Sequence, residues 1–349
     1  MLNCIKFYRA SLSINAVCFL LFYLLPIIGS DAQITNKGNL PKIIIDTDLR
    51  SDVDDAGTLA LANALADNGE GELIGVIASQ TGPNIVGAIN AINTWYGRGE
   101  VPIGLSPKED LRFDDHYAPV IGNPENYSIS QENSTAPEST ALYRRLLKNA
   151  PDKSVKIIVV GGQTPLRLLL DSKADHEGDG SINQTGVELV KAKVSGLYLM
   201  AGNFADLNHK EHNIMLDMEA SQHIAENWPT TISYSGFEIG RPVIAGGSLS
   251  NPDQNPVARA YQLFPAGGVG NISGSSSYDQ TILYYAVRGT QAGDIQLWTL
   301  SEPGTVSFPE GKTVFRSHPE GKHRHLIAKA PYETVAEVIE SLMVQAPNK

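Results

Sequence analysis

The stretch "KIIIDTDLRSDVDDAG", residues 42–57, packs five aspartates into ten positions: Asp46, Asp48, Asp52, Asp54 and Asp55. Carboxylates so close together repel, so they are solvated, lose charge by protonation, or share a cation. Their context favours the cation. Ile43, Ile44 and Ile45 form the β-branched run of a buried strand, and Ala56, Leu59, Ala60 and Ala64 recur at helical spacing. The aspartates thus occupy the turn between a strand end and a helix start, where open parallel sheets place their ligands. Oxygen-only donors suit calcium, which takes carboxylates, carbonyls and water in a flexible shell. A remote carboxylate is expected from Asp279, which opens "DQTILYYAV", and a backbone carbonyl from Thr164 in "VVGGQTP".

The elements that must hold these groups follow from the hydrophobic pattern. "KIIID", "ELIGVIAS", "VPIGL", "VKIIVVGG", "GLYLMAG" and "TTISYS" predict strands. "DDAGTLALANALAD", "NIVGAINAINTWYG", "TALYRRLLKNA", "TPLRLLLDS", "DMEASQHIAENW", "DQTILYYAV" and "YETVAEVIESLMVQ" predict helices. Their alternation predicts an α/β fold, a mostly parallel open sheet covered by helices on both faces. Residues 106–137 and 245–277 break the rhythm and are expected to be long loops. Asp217 reads as a helix cap, and the histidines of "HPEGKHRH" are expected to face solvent.

The chain has 349 residues and a net charge of −11, which argues against nucleic acid as a partner. Residues 1–32 are expected to be a signal peptide. Lys6 and Arg9 precede the apolar "AVCFLLFYLLPII", and the small residues Ser30 and Ala32 precede a cut near Gln33. The rest, 33–349, is expected to form a single domain, secreted or periplasmic and free of the membrane after cleavage. Both cysteines, Cys4 and Cys18, fall in the leader, leaving the mature chain without disulfides or thiol ligands.

Four blocks in order resemble the inosine-uridine-preferring nucleoside hydrolases. "DTD" with "DDA" at residues 46–56 is similar to the Asp-x-Asp and Asp-Asp-Ala signature. "VVGGQTPLRLLL" resembles the Gly-Pro-Leu-Thr-Asn-Leu block. "MAGNFADLNHKEHNIMLDMEAS" and "SYDQTILYYAV" resemble the two later blocks. The resemblance implies that fold and a calcium-dependent hydrolase of N-glycosidic bonds, acting on a small-molecule riboside in purine or pyrimidine salvage. Members often form homo-oligomers, and this leaves the oligomeric state open.

By the same resemblance, Asp48 is both metal ligand and the base that activates a metal-bound water. Asp55, Asp279 and the Thr164 carbonyl complete the metal set. Asp54, Glu211 and Asn213 hold the ribose, with Asn84 a further sugar contact and Asn203 competing with Asn208 for another. Tyr278 stands at the position of the leaving-group histidine, with His116 and His212 as substitutes for that role. The link between Asp48 and Asp54 is two residues longer than usual and adds Asp52, while His212 replaces a phenylalanine. An exported calcium-containing nucleoside- or sugar-binding protein of the same fold is the alternative. A phosphotransferase resembling the haloacid dehalogenases also uses Asp-x-Asp, but Leu49 and Arg50 do not fit its pattern.

Overall fold

The computed structural model describes residues 40–50, 52–108, 115–264 and 273–348. The expected signal peptide lies outside the described residues, as do parts of the two long loops. The N-terminal half begins with β1 (Lys42–Thr47), α1 (Asp54–Asp67), β2 (Glu72–Ala78), α2 (Ile85–Trp95), β3 (Ile103–Leu105) and α3 (Ala118–Ile121). It continues with α4 (Ser139–Asn149), β4 (Val155–Val159), α5 (Thr164–Asp171), α6 (Gly186–Lys193) and β5 (Val194–Met200). Then come α7 (His212–Leu216), α8 (Met218–Asn227), β6 (Ile232–Ser235), α9 (Phe237–Gly240), β7 (Ile244–Ala245) and α10 (Pro256–Leu263). After β8 (Ser275–Ser276) and α11 (Tyr278–Arg288) follow β9 (Gln291–Ala292), β10 (Ile295–Gln296), β11 (Trp298–Leu300) and β12 (Gly304–Ser307). β13 (Val314–Ser317), β14 (His323–Ala328) and α12 (Tyr332–Met343) end the chain.

All six strands expected from the apolar runs lie in one sheet, ordered β13-β12-β14-β6-β5-β4-β1-β2-β3, with β11 added beside β14. From β3 across to β14 the pairings are parallel; β11, β12 and β13 form an antiparallel extension. β1 is the pivot. It pairs with β2 on one side and β4 on the other, setting Asp46 beside both Ile77 and Val159. The chain's winding reverses there, which opens a crevice at the carboxyl ends of β1 and β4.

Side-chain alternation along β1 feeds both layers. Ile43 and Ile45 enter a core shared with α1, α2, α11 and α12, while Ile44 enters another with α4, α5 and α8. Helix α1 is buried continuously from Asp54 to Leu65, so it runs through the interior rather than along the surface. Helix α6, the short α10 within the second long loop, and the antiparallel extension are additions to the expected elements. The "HPEGKHRH" expectation is corrected for two histidines. His323, in β14, is buried, with Nδ1 accepting from the Val306 amide, and desolvation pushes its pKa down to about 4. His325 stacks on Phe204 with ring centroids 4.2 Å apart. Among the described residues, no helix is long and apolar enough to cross a membrane.

Candidate active site

The first carboxylates arrive because β1 ends in them. Asp46 is fully buried and receives a 2.8 Å hydrogen bond from the Tyr143 hydroxyl, which makes it a support of the turn. Asp48 follows, 2% exposed, with Oδ2 accepting from the Gln80 amide at 3.4 Å. β4 must end close against this turn: a Cβ on Gly161 would lie 2.9 Å from the Asp48 amide nitrogen. Only glycine allows that approach. Next in the turn, Arg50 is drawn away from the acids by a two-pronged pair with Asp115 and a bond to the Thr81 carbonyl. The Tyr117 hydroxyl donates to the Asp52 carbonyl at 2.6 Å and pins the backbone before α1.

The opening of α1 then supplies Asp54 and Asp55, and the opening of α11 brings Asp279. Asp54 Oδ2 accepts the Asp279 amide at 3.1 Å, joining chain segments 225 residues apart. Thr47 donates its hydroxyl to Asp55 Oδ1. That leaves Asp54 Oδ1 and Asp55 Oδ2 buried without a hydrogen-bond partner. Carboxylate oxygens of Asp52, Asp54, Asp55 and Asp279 all lie within 4.8 Å of one another, a grouping able to hold a metal ion. Buried acceptors without donors are costly, and a cation is the partner such a cage lacks. The donor set is all oxygen, which fits calcium.

Electrostatics agrees with the geometry. Burial, and next the charge of Asp52, pushes Asp48 up to about 8. Burial likewise holds Asp54, Asp55 and Asp279 well above the usual carboxylate range, with their mutual repulsion adding to it.

Opposite the acids, β5 and its following loop supply Glu211 and Asn213. Glu211 caps α7, accepting the amides of Asn213 at 2.9 Å, Gly202 at 3.1 Å and Ile214 at 3.2 Å. Burial raises it to about 7 in spite of those bonds. The Asn213 amide nitrogen bridges the carbonyls of Val160 and Met200, at the ends of neighbouring strands. From the third side come Phe237, just after β6, and Tyr278, stacked with ring centroids 5.2 Å apart. A Cβ on Gly240 would lie 2.2 Å from the Tyr278 Cα, so α9 and α11 meet at a glycine. Burial raises the Tyr278 hydroxyl above its ordinary pKa.

Asp48, Asp52, Val160, Met200, Glu211, His212, Asn213, Phe237, Tyr278 and Asp279 thereby line one cleft of ≈ 120 Å³. Among the expected site residues, Asp48, Glu211, Asn213, Tyr278 and Asp279 converge on it. Asp54 and Asp55 sit in the adjoining carboxylate group. Three others make side-chain hydrogen bonds of their own. Thr164 opens α5 with its hydroxyl on Asp217 at 2.6 Å; Val160, four residues earlier, is the strand-end residue that lines the cleft. Asn84, left-handed at φ 57, donates to the Pro119 carbonyl and borders a separate hollow with Gly87 and Gly122. Asn203 turns its loop by accepting the amides of Ala205 and Asp206. His116 packs edge-on against Phe264. Asp217 caps α8 through the Ala220 amide, as expected, and also holds Lys108 at 3.0 Å. The cleft residues that pattern reading passed over are Val160, Met200 and Phe237. Phe237 had a usable signal: it follows directly on the carboxyl end of a parallel strand.

The mostly parallel α/β sheet with an acidic cleft at its switch point matches the fold of several solved structures, some of them named nucleoside hydrolases. A purine-preferring ribonucleoside hydrolase from Gardnerella vaginalis superposes with a TM-score of 0.61 at 17% identity, covering 87% of this chain and 99% of that one. A plant nucleoside hydrolase gives 0.60 at 17% identity, with the same coverage. The type III effector protein XopQ, complexed with adenosine diphosphate ribose, gives 0.56 at 14% identity, covering 88% of this chain and 94% of its own. No family model matches the sequence, and no curated protein does either.

Proposed function

We propose that this protein is an exported, calcium-dependent N-glycosyl hydrolase that cleaves ribonucleosides or related ribosides. The observation that carries this reading is the meeting of Asp48, Glu211, Asn213, Tyr278 and Asp279 around one cleft beside the carboxylate group. Two solved structures of the same fold are named as nucleoside hydrolases, which supports the substrate class. Calcium, when bound, would hold the vicinal ribose hydroxyls and acidify the attacking water.

The chain's own residues then divide the work. Asp54, Glu211 and Asn213 hold the sugar. Asp48 takes a proton from the water as its oxygen attacks C1′. The C1′–N bond breaks and its electron pair leaves with the base. In the bare site Asp48 carries a proton at neutral pH, because burial and Asp52 hold it near 8. A neighbouring divalent cation favours the charged form and restores the base.

A second reading, a riboside-binding protein without turnover, draws on Tyr278, whose raised pKa makes it a poor proton donor. A panel of ribonucleosides assayed with calcium, with chelator, and with Asp48→Asn separates the two. The hydrolase reading expects free base and ribose, abolished by chelation and reduced about 10²–10⁴-fold by Asp48→Asn. Calorimetric binding without any released base would establish the binding protein instead.

A further inference from the structure

We infer that Glu238 is a positioning residue, whose carboxylate ties the segment after β5 to α9 and thereby sets the wall that meets a flat aromatic aglycone. This rests on the riboside reading of the cleft and adds to it the group that shapes the aglycone side. Two observations carry it. The first is a double tie. Glu238 Oε2 accepts the Phe204 amide at 3.2 Å, and the Phe237 amide donates to the Gly202 carbonyl at 2.8 Å. Phe237 is surrounded by what this tie brings together. Tyr278 stacks on it at 5.2 Å, His209 of the same segment lies 4.3 Å away, and the Arg241 guanidinium lies 5.2 Å from its ring. The second observation is the path of the side chain. A Cβ on Gly236 would lie 2.5 and 2.7 Å from the two Glu238 oxygens, so the carboxylate folds back over its own turn to reach Phe204.

The segment serves two parts of the cleft, and only one depends on Glu238. The Gly202 amide is held by Glu211 and the Asn203 amide by the Thr313 hydroxyl, both on the sugar side of the segment. Phe237 and Tyr278 line the cleft with rings that give a planar base a stacking face. Releasing Glu238 should therefore shift the aromatic wall and leave the sugar contacts in place.

The test compares ribose with inosine and uridine on the full-length mature protein in calcium. Ribose is followed by calorimetry, and the nucleosides by kcat/KM or, if no base is released, by calorimetry as well. Glu238→Ala should weaken the nucleosides at least about fivefold, because stacking on a base contributes about tenfold or more, and should leave ribose within about twofold. Glu238→Gln keeps an oxygen for the Phe204 amide and should return the nucleosides to within about twofold of wild type. Gly236→Ala displaces the carboxylate by another route and should behave like Glu238→Ala; if the latter does not fold, it carries the test alone. Equal losses on ribose and nucleosides, no loss on nucleosides, or a Gln variant as poor as the Ala variant overturns the assignment. A wild-type protein that binds nucleosides without releasing base overturns the hydrolase reading alone, and the binding data then decide this inference. A wild-type protein that neither binds nor cleaves them overturns the riboside reading and this inference with it.

Discussion

At the scale of single residues, the proposed hydrolysis needs a group in the cleft that protonates the departing base. Tyr278 is a weak candidate because burial raises a hydroxyl that already titrates near 10. Its ring contributes more, stacked on Phe237, which also packs against His209 at 4.3 Å. His212 lines the same cleft, and an imidazole ring nitrogen can serve as a proton donor. His212→Phe is therefore expected to cost natural nucleosides about 10²–10⁴-fold in kcat/KM. An activated substrate such as p-nitrophenyl riboside should lose far less, because its leaving group needs no proton. Tyr278→Phe should change both substrates alike. Parallel kinetics on the two substrates check the point; equal losses in His212→Phe would make that ring a packing element.

At the scale of elements, the fully buried Arg144 of α4 organises the loop from α5 to α6. Its guanidinium pairs with Asp179 at 2.6 Å and also donates to Ser172 and to the carbonyls of Ile182 and Gln184. Arg144→Met leaves the buried Asp179 charge without its cation, held only by backbone donors such as the Ile182 amide, so it should cost about 3–5 kcal/mol in denaturant unfolding. The double variant Arg144→Met, Asp179→Leu should recover much of that loss. The same scale explains what was legible beforehand. The parallel strands announced themselves because Ile-Val runs stop abruptly at Asp or Gly. β12 and β13 are four residues each, too short for a periodic signal, and β14 is polar enough to pass for surface. His323 is interior only because the Val306 amide satisfies its ring. Within the site, Asp48 and Asp279 were legible from the strand end and the helix start that carry them, and Glu211 and Asn213 from the block they share with the nucleoside hydrolases. Asn84 and Asn203 were weaker expectations, and the side chain of Asn84 donates to the Pro119 carbonyl while that of Asn203 accepts the amides of its own turn. Sequence spacing does not record which way a turn faces.

For the whole molecule, the buried acids set how stability responds to pH. Asp48 titrates near 8 and Glu211 near 7 in the folded chain, against 3.8 and 4.5 for the exposed groups. The folded state therefore binds more protons than the unfolded one between those limits. Stability is fully present below about pH 4 and drains away as the pH climbs through 7 toward 8. Calcium opposes the trend by stabilising the ionised acids, so its benefit should grow with pH. Melting curves taken from about pH 5 to 8, with and without calcium, should diverge steadily. Curves that stay parallel would mean that the ion sits elsewhere.

The bond from the Asp279 amide to Asp54 also has a meaning in time. It closes a loop of 225 residues, and β14 reaches β6 across a separation of about ninety. The acidic turn leaves the ribosome early, but α11 and the last strands leave late. Until they dock, the aspartates stay an open, hydrated turn with no cage to complete. A topology so rich in distant pairings folds slowly. The candidate site is thus among the last things the chain makes, and a chain cut short before α11 has half a site and an unfinished sheet.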